Sequence, residues 1–145
     1  MEIAIGENAA GQYTLRQSDS TATTKADGSE LMAIAADIAD RFGDATLSGQ
    51  IEALGPALPT ITTTLMSSSI KPCKSGVPPT ALSFFVEVVR KPASGSAETK
   101  RFTAVSVTAG TTVQKEREVL RDAIAAWLYL VGHQAGATAV YGLSL

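Results

Sequence analysis

The last third of the chain leaves the least freedom to the fold. Ala81 to Pro92 reads ALSFFVEVVRKP and Thr99 to Ala109 reads TKRFTAVSVTA, with only Ala93-Ser94-Gly95-Ser96-Ala97-Glu98 between them. Apolar and polar side chains alternating on either side of a short, small-residue turn predict a β-hairpin. Directly afterwards, Thr111-Thr112-Val113-Gln114 has the form of a capping box. Leu120, Ala123, Ile124, Trp127, Leu128 and Val131 then recur at three- and four-residue spacing, which predicts a long amphipathic helix. A sheet edge feeds a helix, and the apolar stripe of that helix needs a cover.

Upstream the signals are shorter. Ile3 and Ile5, then Tyr13 and Leu15, alternate around a Gly-bounded turn and predict an opening hairpin. Residues 18 to 29 are polar and turn-rich, as in a loop or hairpin tip. Leu31, Ile34, Ala35, Ile38 and Phe42 have helical spacing, with Ser29 able to cap and Gly43 able to terminate. Leu47 to Leu54, among Gly49, Gly55, Pro56 and Pro59, is expected to form a brief strand. From Leu58, LPTITTTLMSSSI predicts a long strand rich in β-branched residues. Residues 71 to 80, KPCKSGVPPT, hold three prolines and are expected as a loop.

With 145 residues the chain suits one domain, 1–145, and its 45% hydrophobic and 18% charged content is that of a globular protein. Its longest apolar run, Ala123 to Val131, is about half of a bilayer crossing, and Met1-Glu2-Ile3 is not a secretion signal, so a soluble protein with no membrane partner is expected. Cys73 and His133 are single residues of their kinds, which argues against an internal disulfide, a zinc site and Cys/His catalysis. No cofactor and no metal are expected. Glu116, Glu118 and Asp122 interleave with Lys115, Arg117 and Arg121 in one helix, which reads as a solvated, dipole-matched face rather than an acid-base pair. Ser67-Ser68-Ser69 lacks a nucleophile elbow. The chain is therefore not expected to be an enzyme.

Charge is distributed unevenly along the sequence. Residues 1 to 70 carry Arg16, Lys25 and Arg41 against nine carboxylates, whereas Lys71, Lys74, Arg90, Lys91, Lys100 and Arg101 face only Glu87 and Glu98 between 71 and 101. A sheet with a positive face is one consequence, and solvated strand-end cations are the other.

The order strand, turn, strand, helix, with KEREVLRDAIAAWL opening the helix, resembles the coat proteins of the small single-stranded RNA bacteriophages, the levivirus-like family. The likeness covers roughly residues 47 to 131, in order rather than through a signature motif. It implies an α+β fold: an antiparallel β-sheet with an N-terminal hairpin, and C-terminal helices packing across a dimer. The implied function is a structural capsid protein that forms a homodimer, assembles many copies into an icosahedral shell and packages single-stranded RNA in a virion built in the bacterial cytoplasm. Two departures stand out. The segment 18–44 is long and helical in pattern, and the loop Pro92 to Glu98 has no cysteine for inter-subunit disulfides.

A helix this apolar has more surface than a small sheet easily covers, so Leu120, Ile124, Trp127, Leu128 and Val131 are expected at the dimer interface. For the RNA face, strand parity turns Ile61, Thr63 and Leu65, then Leu82, Phe84, Val86 and Val88, then Val105 and Val107 to the helices. That leaves Thr62, Thr64, Phe85, Glu87, Lys91, Phe102 and Ser106 on the other face, with Arg101 among the strand-end cations. In the family, hydroxyls on the first of these strands help hold an unpaired adenine and an aromatic on the last stacks on a base. Thr62, Thr64 and Phe102 are the matching positions. The same threonines also suit an ordinary strand, and Phe102 a core. The alternative function is a small dimeric α+β module that binds a ligand or a protein through its sheet.

Overall fold

In the computed structural model the described residues are 2–7, 13–18, 24–65, 67–75, 81–90, 95–103, 107–108 and 113–145. Alternation along the chain builds one antiparallel sheet from β1 (Glu2–Glu7), β2 (Tyr13–Ser18), β5 (Ser67–Ser75), β6 (Ala81–Arg90), β7 (Glu98–Thr103) and β8 (Val107–Thr108). The strand order is β1-β2-β5-β6-β7, with β8 also paired to β6. β3 (Thr24–Asp27) and β4 (Thr62–Leu65) form a separate two-stranded ribbon. The helices are α1 (Gly28–Arg41), α2 (Ala45–Leu54), α3 (Val113–Val131) and α4 (Gln134–Tyr141). The protein is α+β, with an antiparallel sheet and C-terminal helices.

One face of the sheet is covered and the other is open. On β6, Phe84, Val86 and Val88 are buried while Ser83, Phe85, Glu87 and Val89 are only half-buried. The even set packs under α3, which contacts β5, β6, β7 and β8, so the parity expected for β6 holds. α1 lies against α3 and joins the same core through Leu31, Ile34, Ala35 and Ile38. Just beyond α1, the Phe42 ring meets Phe84 edge-on, with centroids 5.5 Å apart, and this aromatic contact ties the end of α1 to the sheet. Gly43 takes φ +90°, the left-handed conformation that ends a helix without a Cβ clash.

Three local expectations are corrected. Leu47 to Leu54 is helix α2, not a strand. Leu47 and Ile51 are buried at a spacing of four, and Asp44 caps the helix by accepting a 2.9 Å hydrogen bond from the Leu47 amide. After α2, Gly55 and Pro56 form a single 3₁₀ turn with Ala57 rather than breaking a strand. Second, the segment from Leu58 splits: Thr62–Leu65 pairs with Thr24–Asp27 in the ribbon, so that part of the expected loop is strand. Third, 71–75 continues β5 through Pro72. β2 pairs with β5 only as far as Ile70, so Pro72 stands where β5 has β6 on one side alone, and a missing N–H is tolerated on such an edge. Residues 76–80, Val105, and Thr111 and Thr112 of the expected capping box lie outside the described residues.

The α1–α2 corner is clamped to α3. Arg117 donates from Nε to Asp44 at 2.7 Å and from Nη2 at 3.3 Å, with both side chains largely shielded. Burial by itself would raise the Asp44 carboxyl. The hydrogen bonds from Arg117 and the Leu47 amide, with the Arg117 charge, outweigh it and hold the group below its ordinary 3.8. Asp44→Ala is expected to lower the unfolding free energy by about 1–2 kcal/mol at pH 7, chiefly through the lost cap, as read by urea denaturation. Because the native carboxyl is the stronger acid, this stabilisation is present above pH 3.8 and fades as pH falls through the native value. The gap between wild type and variant should close there.

Candidate nucleic-acid interface

The open face of the sheet collects polar groups in rows set by strand register. Arg101 stands opposite Glu87, Glu87 opposite Ser69 and Ser69 opposite Arg16. In the next rows Phe85 lies between Thr103 and Lys71, and Val89 between Thr99 and Ser67. Directly opposed residues share a face, so by register this face carries the positions of Arg16, Lys71 and Arg101 with Glu87, and Glu2 at the end of the Val89 row through Ser18. Among the described side chains Phe85 and Glu87 are half-buried and Arg101 is exposed. Arg101 Nε donates to Glu87 Oε2 at 2.8 Å. With the arginine side chain 67% exposed, the pair is solvent-screened and worth under about 1 kcal/mol. An exposed guanidinium held this weakly is available to a phosphate.

Phe85, Glu87 and Arg101 come together here as expected. Other expected RNA contacts do not join them. Thr62 and Thr64 belong to the β3–β4 ribbon, opposite Asp27 and Lys25, and not to the sheet that carries Arg101. Lys91 and Ser106 lie outside the described residues. Phe102 is opposite Val86, so it sits on the helix-facing side, 43% exposed. The expected parity fails because the register slips: Phe85 pairs with Thr103 but Leu82 with Val107, three steps on β6 against four on its partner. One extra residue of this kind reverses which face the following positions occupy.

The five residues expected at a dimer interface are also elsewhere. Leu120, Ile124, Trp127, Leu128 and Val131 are at most 5% exposed within the single chain. The missing cover is α1, from the very segment that the sequence marks as a departure. Its residues Leu31, Met32, Ile34, Ala35 and Ile38 share one cluster with the α3 stripe.

A second surface lies where α3 and α4 stand over β7. Phe102, Ala126, Tyr129, Leu130, Ala137 and Tyr141 line an open, mainly apolar groove of about 580 Å³. Tyr129 and Tyr141 are 58% and 63% exposed, and the Arg121 guanidinium lies 5.6 Å from the Tyr141 ring centre, a cation–π distance. The sequence reading missed this groove. Tyr129 and Tyr141 off the buried stripe were its only signal, and their meaning depends on how α4 folds back. β7 beside it is an outer strand of the sheet.

Among the described residues, no three His, Cys, Asp or Glu side chains converge as metal ligands, and no helix is long and apolar enough to cross a membrane. The chain matches no known family model, no curated protein and no solved structure.

Because Trp127 is core and not surface, Trp127→Ala is expected to cost about 3–5 kcal/mol of folding stability whether or not copies associate. Urea unfolding at low protein concentration measures it. An unchanged midpoint would place Trp127 outside the core.

Proposed function

We propose that this chain is a coat protein of a single-stranded RNA bacteriophage: it dimerises, assembles as many copies into an icosahedral shell and packages RNA against the open face of its sheet. The observation that carries the reading is the one-sided architecture. Among the described residues, β6 and β5 turn Ile70, Phe84, Val86 and Val88 to the helices, and the opposite face carries the Arg101–Glu87 pair with the register positions of Lys71 and Arg16. Such a face suits a closed shell, where a few cations per subunit multiply around an enclosed polyanion and counterion release drives binding. Phe85, half-buried among these groups, is the aromatic positioned for a base. The protein acts in the virion, assembled in the bacterial cytoplasm, as a structural subunit and not as an enzyme.

Dimerisation in this reading uses the outer edge of β7 and the adjacent groove, with Phe102 and Tyr129 at its centre. Antiparallel pairing of two copies of one edge strand is self-complementary and needs only two-fold symmetry. The opening β1–β2 pair at the opposite edge is left for contacts between dimers.

The groove also favours a second reading, a small dimeric module that holds an apolar ligand or a protein segment there. Electron microscopy of the purified protein separates the two. Uniform closed particles are expected, and a discrete small oligomer at every concentration would favour the module. For RNA, Arg101→Ala is expected to weaken binding of any sequence and to lower the salt slope by about one. Glu87→Gln, which releases Arg101, should strengthen binding and steepen that slope. Titration of RNA hairpins at several salt concentrations reads both, and no change in either variant would remove RNA from this face.

A further inference from the structure

The one histidine of the chain is placed where a charge cannot be accommodated. His133 follows the end of α3 and precedes α4, its side chain is 0% exposed, and neither ring nitrogen has a hydrogen-bond partner. Its ring lies against the first turn of α4, where Met32 of α1 also approaches Gly136. A Cβ built on Gly136 would stand 2.7 Å from His133 Cδ2 and 2.9 Å from Met32 Sδ. A side chain at 136 would collide with the ring, so the glycine there lets the first turn of α4 close over it.

We propose that the α3–α4 corner is an acid-sensitive latch, in which neutral His133 seats the first turn of α4 against α3 and beside Met32, and a proton on the ring releases the N-terminal half of α4. Among the described side chains, no carboxylate is hydrogen-bonded to the ring to hold the charged form. α4, QAGATAVY, has no Asp, Glu, Lys or Arg. On α1 the described charged side chains are Asp37, Asp40 and Arg41, which begin five residues beyond Met32, and Asp37 is already bound to Arg41 at 2.7 Å. On α3 the nearest described ionisable groups are Arg121 and Asp122, paired with each other at 3.0 Å, and the exposed Tyr129. Glu52 on α2 is exposed. Two of the last four carbonyls of α3 accept amides of the turn: the His133 amide donates to Leu128 O at 2.9 Å and the Gly132 amide to Tyr129 O at 3.1 Å. The first turn of α4 is the positive end of that helix. Burial depresses the imidazole below its ordinary 6.5, with no opposing charge.

The hinge and the tether of the latch are both present. Gly132 takes φ +102° at the turn. At the far end Arg121 donates to Leu143 O at 2.9 Å and Gln50 to Ser144 O at 3.2 Å, so the end of the chain stays attached while the start of α4 lifts. Ala137, Thr138 and Tyr141 form one wall of the groove over β7, and release therefore opens that groove whatever occupies it.

The sign follows from the depressed native value. The latch is fully held above about pH 6.5 and weakens as pH falls towards the native value, by up to about tenfold per pH unit. Hydrogen exchange read by NMR on the full chain at pH 7.5, 6.0 and 5.0 should show protection factors of the Ala137 to Val140 amides falling at least about tenfold, while those of Ile34 to Ile38 in α1 hold. The single histidine lets its ring signals be followed without ambiguity, and they should titrate below 6.5. His133→Leu should make α4 protection independent of pH in this range. If that variant does not fold, the wild-type titration decides. A ring that titrates at or above 6.5 in the folded protein, or α4 protection unchanged from pH 7.5 to 5.0, overturns the latch.

Discussion

The apolar stripe of α3 has to leave water, and the chain covers it from within. Leu120, Ile124, Trp127, Leu128 and Val131 meet the even face of β6 on one side and α1 on the other. At roughly 1.5–3 kcal/mol for each large side chain removed from water, these five contribute on the order of 10 kcal/mol. That matches the whole net stability of an ordinary domain. Without α1 and the sheet around it, α3 would be an exposed hydrophobic helix seeking a partner. The Asp44–Arg117 clamp and the Phe42–Phe84 contact matter because they fix α1 and its corner over this stripe.

Covering the stripe within one chain decides what is left for binding. Among the described residues the helices cover the Phe84, Val86 and Val88 face of β6, and the opposite face holds half-buried Phe85 and Val89 beside the Arg101–Glu87 charged pair. Among the described residues, the exposed large hydrophobic side chains are Val113 at the start of α3 and Phe102, Tyr129 and Tyr141 around the groove beside β7. Two chemically different surfaces result, one polar and one mainly apolar, and they meet at β7, where Arg101 borders the groove as well.

Local pattern made much of this legible and long-range pairing hid the rest. FFVEVV on β6 separates its faces correctly because its alternation is strict and each side chain is decided by its own strand. The helical spacing of Leu31 to Ile38 shows α1 for the same reason. Leu47 to Leu54 misleads, since Gly49, Gly55 and Pro56 look like strand breakers, while the Asp44 cap and the Leu47–Ile51 spacing carry the helix. The apolar stripe of α3 is plain in the sequence, but its cover comes from residues some ninety positions earlier, so the reading assigned it to a second copy. Phe102 was placed on the wrong face by a one-residue register slip, which leaves no mark on a single strand. Thr62 and Thr64 alternate as any strand does, and nothing in that alternation says they pair with 24–27 instead of joining the main sheet.

Whether α3 is covered by its own chain or by a neighbour is tested most directly by dilution. Trp127 is the one tryptophan of the chain and is 1% exposed, so its emission reports burial of the stripe while sedimentation reports association. At concentrations where sedimentation finds only single chains, the emission is expected to stay blue-shifted and the urea midpoint to stop depending on concentration. Emission that shifts to the red as soon as copies separate would contradict the cover by α1, and would show that the stripe belongs to an interface between subunits.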